Sequence, residues 1–333
     1  MSATLGINLM PVDPPDRFVE AAKFVDQAGF SHMFVADSSL HAHDVYPYMT
    51  LLALHTSSVR IGPLVTHPYT RHPAINLNAL ATINELSGGR VIANIGAGDR
   101  PVTELGYPLA RTKVVREAIT VMRRLLSGET VNLSGETFQL VAATLRYGLR
   151  EKMPLYVTAS GPRMLELGGE LADGVLFLSG PDPRCVQYAL DHVRAGAERS
   201  GRGLRDLVLG CNIYGALDDD AAKARRACRP IAAWFPQTSP AYASLIGITQ
   251  DQIREIRRAY RGGHFDESTE AASLVTDDMI DAFSMAGDAP TWIARLREIE
   301  AMGVNLIVIF PMVDDKMAML RRLAGEIVPQ FRA

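Results

Sequence analysis

Short, continuous apolar runs alternate with helix-like segments from one end of the 333-residue chain to the other. Continuous apolar runs are typical of parallel strands that are buried on both faces, and helices connect such strands. The candidate strands are Leu5–Leu9, His32–Ala36, Val59–Val65, Val91–Ile95, Leu155–Ala159, Val175–Leu178, Leu207–Tyr214 and Leu306–Phe310. Eight strands with helical connections predict an α/β fold, a (β/α)8 (TIM) barrel. A doubly wound sheet is the structural alternative, but no GxGxxG motif follows the first strand.

Two segments interrupt this repeat, and the chain is otherwise predicted to form one barrel domain over residues 1–333. Residues 128–150 predict a β-hairpin with Ser134-Gly135 as its turn. Residues 215–288 predict a long, mostly helical insertion between the seventh and eighth strands. Because barrel active sites lie at the C-terminal ends of the strands, we expect this insertion to cover the active site as a lid or pocket wall.

Composition narrows the class of partner. The chain has 34 basic and 37 acidic residues, and no basic block that nucleic acid or an anionic membrane would require. No apolar run approaches the ~20 residues of a membrane span, and the N-terminus lacks the pattern of a signal peptide. Its three cysteines include no CxxC pair, so neither a disulfide framework nor a zinc knuckle is expected. We therefore expect a cytoplasmic protein that acts on a small molecule.

The most specific segment is VRIGPLVTHPYTRHP, at residues 59–73. A Gly-Pro pair inside a central strand interrupts the hydrogen-bond ladder, so this strand is predicted to bulge near its C-terminal end. Bulges recur beside active sites. A purely structural bulge, with Arg71 and His72 as polar residues where the next helix begins, is the alternative.

Small residues end three other strands. Residues 158–162 (TASGP) and 178–182 (LSGPD) let backbone N–H groups and a helix dipole approach an anion, so together they are candidates for a phosphate site. In GAGDR (96–100) the glycines allow a planar ring to approach, with Asp99 at the pocket mouth. Tight turns without a ligand are the alternative at all three places.

Asp37 and Ser38 follow the second strand, and His41 and His43 come shortly after them. Two histidines at this spacing, with no further clustered ligand, do not predict a metal site. We expect these residues to line a pocket or to lie in solvent.

These segments resemble the luciferase-like family of flavin and deazaflavin oxidoreductases, most closely its methylenetetrahydromethanopterin reductase-like branch. The resemblance runs from Gly6 to Pro311, and its motifs are GPLVTHPYTRHP (62–73), GAGDR (96–100), YVTASGPRMLEL (156–167) and ADGV (172–175). It implies a (β/α)8 barrel, commonly a homodimer, that binds reduced flavin (FMN) or the deazaflavin coenzyme F420.

The resemblance also assigns residues to the cofactor. In the deazaflavin branch the ring rests against a third-strand bulge that contains a non-prolyl cis peptide, here expected at Leu64-Val65. The loop at 159–162 corresponds to the family's phosphate loop, and Asp37 and Asp99 match carboxylates near the ring. The expected cofactor contacts are Leu64, Val65, Thr66, Gly96, Gly98, Ala159, Ser160, Gly161, Pro162, Ser179 and Gly180.

Three positions depart from the family pattern. Several deazaflavin dehydrogenases have a histidine just after the second-strand aspartate, where this chain has Ser38. Asn8 replaces a first-strand glutamate of the reductases, and His67 stands where many relatives have asparagine. The expected catalytic residues are Asp37, Ser38 and Asp99, and the expected substrate-pocket residues are Asn8, His41, His43 and His67.

The sequence thus predicts an F420-dependent oxidoreductase that transfers hydride between the deazaflavin and an electrophilic C=N, C=C or C=O of a small organic substrate. Ser38 is a poor base for oxidising an alcohol, which favours reduction of an electron-poor double bond, with Asp37 or Asp99 tuning the site. An FMN-dependent two-component monooxygenase is the alternative function. A non-catalytic flavin-binding relative is disfavoured, because the phosphate loop and Asp99 are intact.

Overall fold

Eight parallel strands form a closed barrel in the computed structural model, which describes residues 2–260 and 269–332. The described strands are β1 (Thr4–Leu9), β2 (His32–Val35), β3 (Arg60–Pro63), β4 (Ala93–Ile95), β5 (Val131–Ser134), β6 (Gln139–Ala143), β7 (Leu155–Ala159), β8 (Gly174–Phe177), β9 (Val208–Leu217), β10 (Met285–Gly287) and β11 (Leu306–Pro311). The barrel order is β3-β2-β1-β11-β9-β8-β7-β4, and isolated parallel bridges join β3 to β4. The predicted (β/α)8 barrel is confirmed.

Helices surround this barrel. The described α-helices are α1 (Pro15–Gln27), α2 (Val45–His55), α3 (Pro73–Leu86), α4 (Arg100–Glu104), α5 (Thr112–Leu126), α6 (Pro162–Leu171), α7 (Pro183–Arg199), α8 (Ala221–Thr238), α9 (Pro240–Leu245), α10 (Gln250–Ala259), α11 (Thr269–Ser273), α12 (Asp277–Phe283), α13 (Ala289–Ala301) and α14 (Lys316–Arg322). Proline begins α1, α3, α6 and α7, where a missing N–H leaves no helical hydrogen bond unmade. None of the described helices has both the length and the apolar composition needed to cross a membrane.

Each barrel strand buries both of its faces. Outward residues such as Ile7 and Ile61 pack against the helices in the main core. Inward residues, among them Phe34, Leu176 and Val308, form an apolar plug that fills the barrel. The barrel is therefore a packed core rather than a pore, and any ligand must bind above the plug.

The two insertions lie outside this repeat. Strands β5 and β6 pair antiparallel, and the Gly135 N–H closes their turn on the Phe138 carbonyl at 3.0 Å. Helices α8 to α12 have a hydrophobic core of their own, with Phe235 and Phe283 fully buried. That core also includes Phe310 at the C-terminal end of β11, so the insertion packs onto one side of the barrel mouth.

A partly exposed carboxylate, that of Asp26, fixes the start of β3, the strand that carries the bulge. Asp26, at the end of α1, accepts backbone N–H groups of Ser57, Ser58 and Val59 at 2.8–2.9 Å, and both serine hydroxyls also donate to it. Burial raises the pKa of Asp26, but these hydrogen bonds outweigh that effect and hold its pKa well below the usual range.

Asp26→Asn is expected to destabilise the fold by about 1–2 kcal/mol at pH 7, since it removes the charge that these donors share. Because the pKa of Asp26 is lowered in the folded state, its contribution is full above about pH 4 and is lost as the pH falls further. Urea unfolding at pH 7 and at pH 3 measures both effects. Glu20→Gln on the exposed face of α1 is the control, and an equal loss in the two variants would contradict the assignment.

Candidate active site

Most of the predicted site residues lie at one face of the barrel. Since its strands are parallel, their C-terminal ends meet there, directly above the apolar plug. This face carries the third-strand bulge, the loops after β2 and β4, and the first turn of α6.

The bulge has the predicted cis peptide bond, between Leu64 and Val65. The Leu64 N–H donates to the Val35 carbonyl at 2.7 Å, and the Gly96 N–H donates to the Thr66 carbonyl at 2.9 Å. The Leu64 side chain points down into the plug. The bulge is therefore held between the second and fourth strands, with its backbone at the mouth.

The glycines after β4 have a role in packing. A Cβ on Gly96 would stand 3.2 Å from the Val65 side chain and 3.1 Å from the Thr158 carbonyl. Gly98 has a φ of +85°, and a Cβ there would lie 2.6 Å from Val102. Contacts within the protein therefore favour glycine at Gly98, where a side chain would also be strained, and leave only tight space for a Cβ at Gly96, whether or not a ring approaches them.

The carboxyl group of Asp37 at the mouth has a perturbed pKa. Burial raises its pKa to about 6, against the lowering effects of a hydrogen bond with the Thr66 hydroxyl and of the Arg71 charge. Thr66 in turn accepts a hydrogen bond from the Asn76 side chain at 3.1 Å, and both of these residues are buried. Asp37 can therefore gain or lose a proton near neutral pH, as a group that handles protons requires.

Tyr46 of α2 is a member of this cluster that sequence reasoning missed. Its hydroxyl is buried close to Thr66, and burial together with the Asp37 charge raises the pKa of Tyr46. The Arg71 guanidinium lies 4.1 Å from the centre of the Tyr46 ring and bonds Asp44 at 2.9 Å. No sequence motif identifies Tyr46, because its position in an apolar helix is typical of a core residue.

Asp99 stands at the N-terminus of α4, across the mouth from the end of β9. It lies near enough to Tyr214 that its charge, added to burial, raises the pKa of that phenol. Tyr214 is also hydrogen-bonded to Asn212, two residues earlier on β9. Neither Tyr214 nor Asn212 was predicted as a site residue, since each lies within an apolar strand.

His41 joins the loop after β2 to α4. Its Nε2 lies 2.5 Å from a carboxylate oxygen of Glu104, and its backbone N–H donates to the Ser38 carbonyl. The pair ties the loop that carries Asp37 to the segment that carries Asp99. Ser38 itself is partly exposed at the mouth.

Two predicted pocket histidines are placed differently. His43 is exposed and stacks on Tyr48 of α2 at 5.3 Å. His67 is 2% exposed, and its ring nitrogens bond the Tyr69 N–H and the Thr70 hydroxyl of its own turn. Burial lowers the pKa of His67 to about 4, so its ring is neutral. Both ring nitrogens of His67 are therefore engaged within its own turn, while the His43 ring is held against α2 by stacking.

The first turn of α6 is open. Gly161 precedes this ten-residue helix, and no atom of the described chain lies within 4 Å of a Cβ built on it. No side chain caps the helix, so its first N–H groups and dipole are available to an anion. Ala159 and Ser160 lead into this turn from β7, and Pro162 begins the helix.

The turn after β8, predicted to share the anion, faces the insertion instead. The Ser179 hydroxyl is buried and donates to the Gly180 carbonyl at 2.8 Å. Gly180 has a φ of +71°, and a Cβ there would lie 2.5 Å from the Ala282 carbonyl of α12. In this structure the turn supports the insertion and is not open in the way Gly161 is.

A cleft of about 700 Å³ lies between α7, α12 and α13, and its lining includes none of Asp37, Asp99 and Gly161. Paired charges line it, such as Arg225 with Asp281 at 2.6 Å and Arg184 with Asp182 at 2.7 Å. Within residues 2–260 and 269–332, no three His, Cys, Asp or Glu side chains are grouped so as to hold a metal ion.

Comparison with known proteins places the whole chain in one group. A model of the luciferase-like monooxygenase family matches residues 2–306. The 5,10-methylenetetrahydromethanopterin reductase of Methanolobus tindarius is 33% identical over 98% of this chain and 99% of the relative. The F420-dependent glucose-6-phosphate dehydrogenase of Beutenbergia cavernae is 30% identical over 92% of this chain and 91% of the relative.

A solved structure agrees in fold over the full length. The coenzyme F420-dependent tetrahydromethanopterin reductase of Methanopyrus kandleri superimposes with a TM-score of 0.88 at 29% identity, and the match covers 100% of both chains. The two chains therefore share one fold over their whole length.

Replacing Thr66 by valine is expected to raise the pKa of Asp37 further above about 6, because the hydrogen bond that favours the ionised carboxyl is lost. It also leaves the Asn76 amide without its acceptor, which costs about 1–3 kcal/mol of stability. Carboxyl-carbon NMR titration measures the pKa. Thr82→Val on the exposed face of α3 is the control, and an unchanged or lower Asp37 pKa in Thr66→Val would refute the contact.

Proposed function

The chain belongs to the luciferase-like monooxygenase family, and from this premise we propose that it is an oxidoreductase that uses coenzyme F420. It transfers hydride between the deazaflavin and an electrophilic C=N, C=C or C=O of a small organic substrate. One relative that matches over nine-tenths of the chain is named a 5,10-methylenetetrahydromethanopterin reductase. Another is named an F420-dependent glucose-6-phosphate dehydrogenase. The observation that carries the proposal is the uncapped first turn of α6 at the C-terminal face of the barrel, open at Gly161, where the family's phosphate loop is expected.

The residues present fit such a cofactor. The bulge at Leu64-Val65 presents backbone at the mouth, against which the ring would rest. The open turn at Gly161 has room that a Cβ would fill, and it would take the phosphate at Ser160 and Gly161 through backbone N–H groups. When bound, the reduced deazaflavin supplies the hydride.

The chain itself supplies proton handling and exclusion of water. Asp37, with a pKa of about 6, holds or releases a proton at the mouth. Within residues 2–260 and 269–332, no base is hydrogen-bonded to the Ser38 hydroxyl, so Ser38 is not set up to take a proton from an alcohol. The helices of 215–288 cover one side of the mouth. This arrangement suits reduction of an electron-poor double bond.

Parallel titration of the purified protein with F420 and FMN tests the cofactor. The proposal expects F420 to bind more tightly. Tight FMN binding without F420 binding would instead support the FMN-dependent monooxygenase, the second candidate function of this family.

Gly161→Val is expected to weaken F420 binding by more than about tenfold, because the added side chain occupies the space of the phosphate and blocks a charge-assisted hydrogen bond. The φ of Gly161 is −83°, and its Cβ site is empty, so thermal unfolding is expected to match that of the wild type. Gly203→Val, at a similarly open glycine at the opposite end of the barrel, is the control. Unchanged affinity in Gly161→Val would mean that the turn is only structural.

Asp99→Asn is expected to lower kcat much more than it weakens F420 binding, because the carboxylate tunes the site rather than holding the cofactor. The assay offers F420H2 with imine and enone substrates, and oxidised F420 with secondary alcohols and glucose 6-phosphate. Oxidation of the alcohols or the sugar phosphate, without reduction of the unsaturated compounds, would show that the direction is wrong.

We also propose that the chain forms a homodimer through α2 and α3. These adjacent helices expose Leu54, Ile75 and Leu86, which are 59%, 57% and 49% accessible. Apolar side chains grouped on neighbouring helices are typical of a subunit interface. Sedimentation velocity measures the state, and a monomer at micromolar concentration would exclude this interface.

We place the enzyme in the cytoplasm. Cys185, Cys211 and Cys228 are all buried free thiols, which suits a reducing compartment. Fractionation of the native host detects the location, and recovery from outside the cell would contradict it.

A further inference from the structure

The charge of Arg71 acts on Asp37, but the Arg71 guanidinium is bonded to a different carboxylate. Its Nη2 lies 2.9 Å from the Oδ2 of Asp44, and its Cζ lies 4.1 Å from the centre of the Tyr46 ring. In the part of the chain that the structure describes, no ion pair joins Arg71 to Asp37. Arg71 therefore contacts the N-terminal end of α2 and not the carboxyl that its charge affects.

Asp44 uses its two carboxylate oxygens for two tasks. Its Oδ1 accepts the Tyr46 N–H at 3.0 Å and caps α2, which fixes where the carboxylate stands. Its Oδ2 binds Arg71. The face of the Tyr46 ring offers the guanidinium a second attractive surface. The start of α2 therefore holds Arg71 from two sides.

Held in this way, Arg71 compensates the charge of Asp37 only in part. Burial remains the largest effect on Asp37, the Asp44 charge adds to it, and the pKa of Asp37 stands at about 6. The Tyr46 phenol is buried, and its raised pKa keeps it neutral. A guanidinium in direct contact lowers the pKa of a carboxyl by about 1–3 pH units, which would leave Asp37 ionised throughout the neutral range. The position of Arg71 therefore preserves a carboxyl that still carries a proton.

The other polar groups around Asp37 come from the bulge and from α4. Thr66 contributes a hydroxyl. The ring of His41, on the loop that carries Asp37, is bonded to Glu104. Asp99 at the start of α4 is a second carboxyl of the mouth. None of these groups brings an arginine or lysine to Asp37, so a closer approach of the Arg71 charge would do most to ionise it.

Resting on the proposed function, we propose that Asp44 and Arg71 are positioning residues for proton delivery. Asp44 holds the Arg71 cation away from Asp37, so that Asp37 keeps the proton that the substrate gains. In the reduction, the double bond takes a hydride from the reduced deazaflavin and this proton from the Asp37 carboxyl. Asp37 is left as a carboxylate and regains a proton from solvent, and neither positioning residue touches the substrate.

Carboxyl-carbon NMR titration of the protein without cofactor measures the Asp37 pKa, and Asp37→Asn identifies its resonance. Asp44→Asn keeps the α2 cap but releases Arg71, so we expect the Asp37 pKa to fall by about 1–3 pH units. Arg71→Met keeps an aliphatic contact with Tyr46 and removes the charge, so the Asp37 pKa is expected to rise above about 6.

A double-mutant cycle separates this mechanism from the simple loss of a nearby charge. In the Arg71→Met background, Asp44→Asn is expected to change the Asp37 pKa by less than about half as much as in the wild type, since no guanidinium is released. Equal changes in both backgrounds, or shifts in the same direction in the two single variants, would overturn the inference. Arg124→Met and Glu129→Gln, which break a 2.8 Å ion pair at the end of α5, are the controls and should leave the Asp37 pKa unchanged.

The pH dependence of kcat with F420H2 and 2-cyclohexen-1-one is a second readout. A proton donor is active below its pKa, so kcat falls as the pH rises through the pKa of Asp37. This fall is expected at lower pH in Asp44→Asn and at higher pH in Arg71→Met. Unmoved kcat profiles beside shifted pKa values would also overturn the inference. If F420 binds and the pKa values do not shift, this inference alone is wrong. If they shift as expected and F420 does not bind, the proposed cofactor is wrong.

Discussion

The barrel depends on how its third and fourth strands are joined. Isolated bridges, Ile61 to Val91 and Thr66 to Ile95, connect β3 and β4, and the Gly62-Pro63 pair lies between them. There a side chain completes the seam, since the Asn94 amide donates to the Pro63 carbonyl. An extended ladder would close the barrel but leave no bulge. The interrupted seam closes the barrel and also turns backbone toward the mouth.

The architecture could be predicted because its signal is local. A parallel strand buried on both faces must be apolar along its length, and all eight predicted strands overlap barrel strands. The errors lie at strand ends. The third strand was predicted to reach Val65 but ends at Pro63, where the bulge stops the ladder. The strand predicted to end at Tyr214 continues to Leu217, because β10, which is distant in sequence, pairs with it.

The structure of the candidate site could be predicted best where the site consists of backbone. Leu64-Val65 and the open turn at Gly161 are properties of their own short segments. Glu104 reaches His41 across 63 positions of the chain, and no local pattern marks such a pairing. His43 and His67 were assigned to the pocket by residue type and position. In the structure the His43 ring stacks on Tyr48, and the His67 ring is hydrogen-bonded within its own turn.

One half of the mouth is formed mainly by backbone and the other mainly by side chains. This difference determines which residues can be replaced. The proposed cofactor side depends on the bulge backbone, on Gly96 beside Val65 and on a helix N-terminus, and a Cβ at Gly96 would make the Val65 side chain shift. The rest of the mouth includes inward side chains on β1 and β9 and helices outside the barrel repeat. Outward neighbours such as Ile7 and Ile213 hold those strands in the main core whatever residue faces inward. Inward residues of β1 and β9 can therefore be exchanged without disturbing how these strands pack, whereas the backbone of the bulge and the close contacts at Gly96 limit what can replace the residues on the other side.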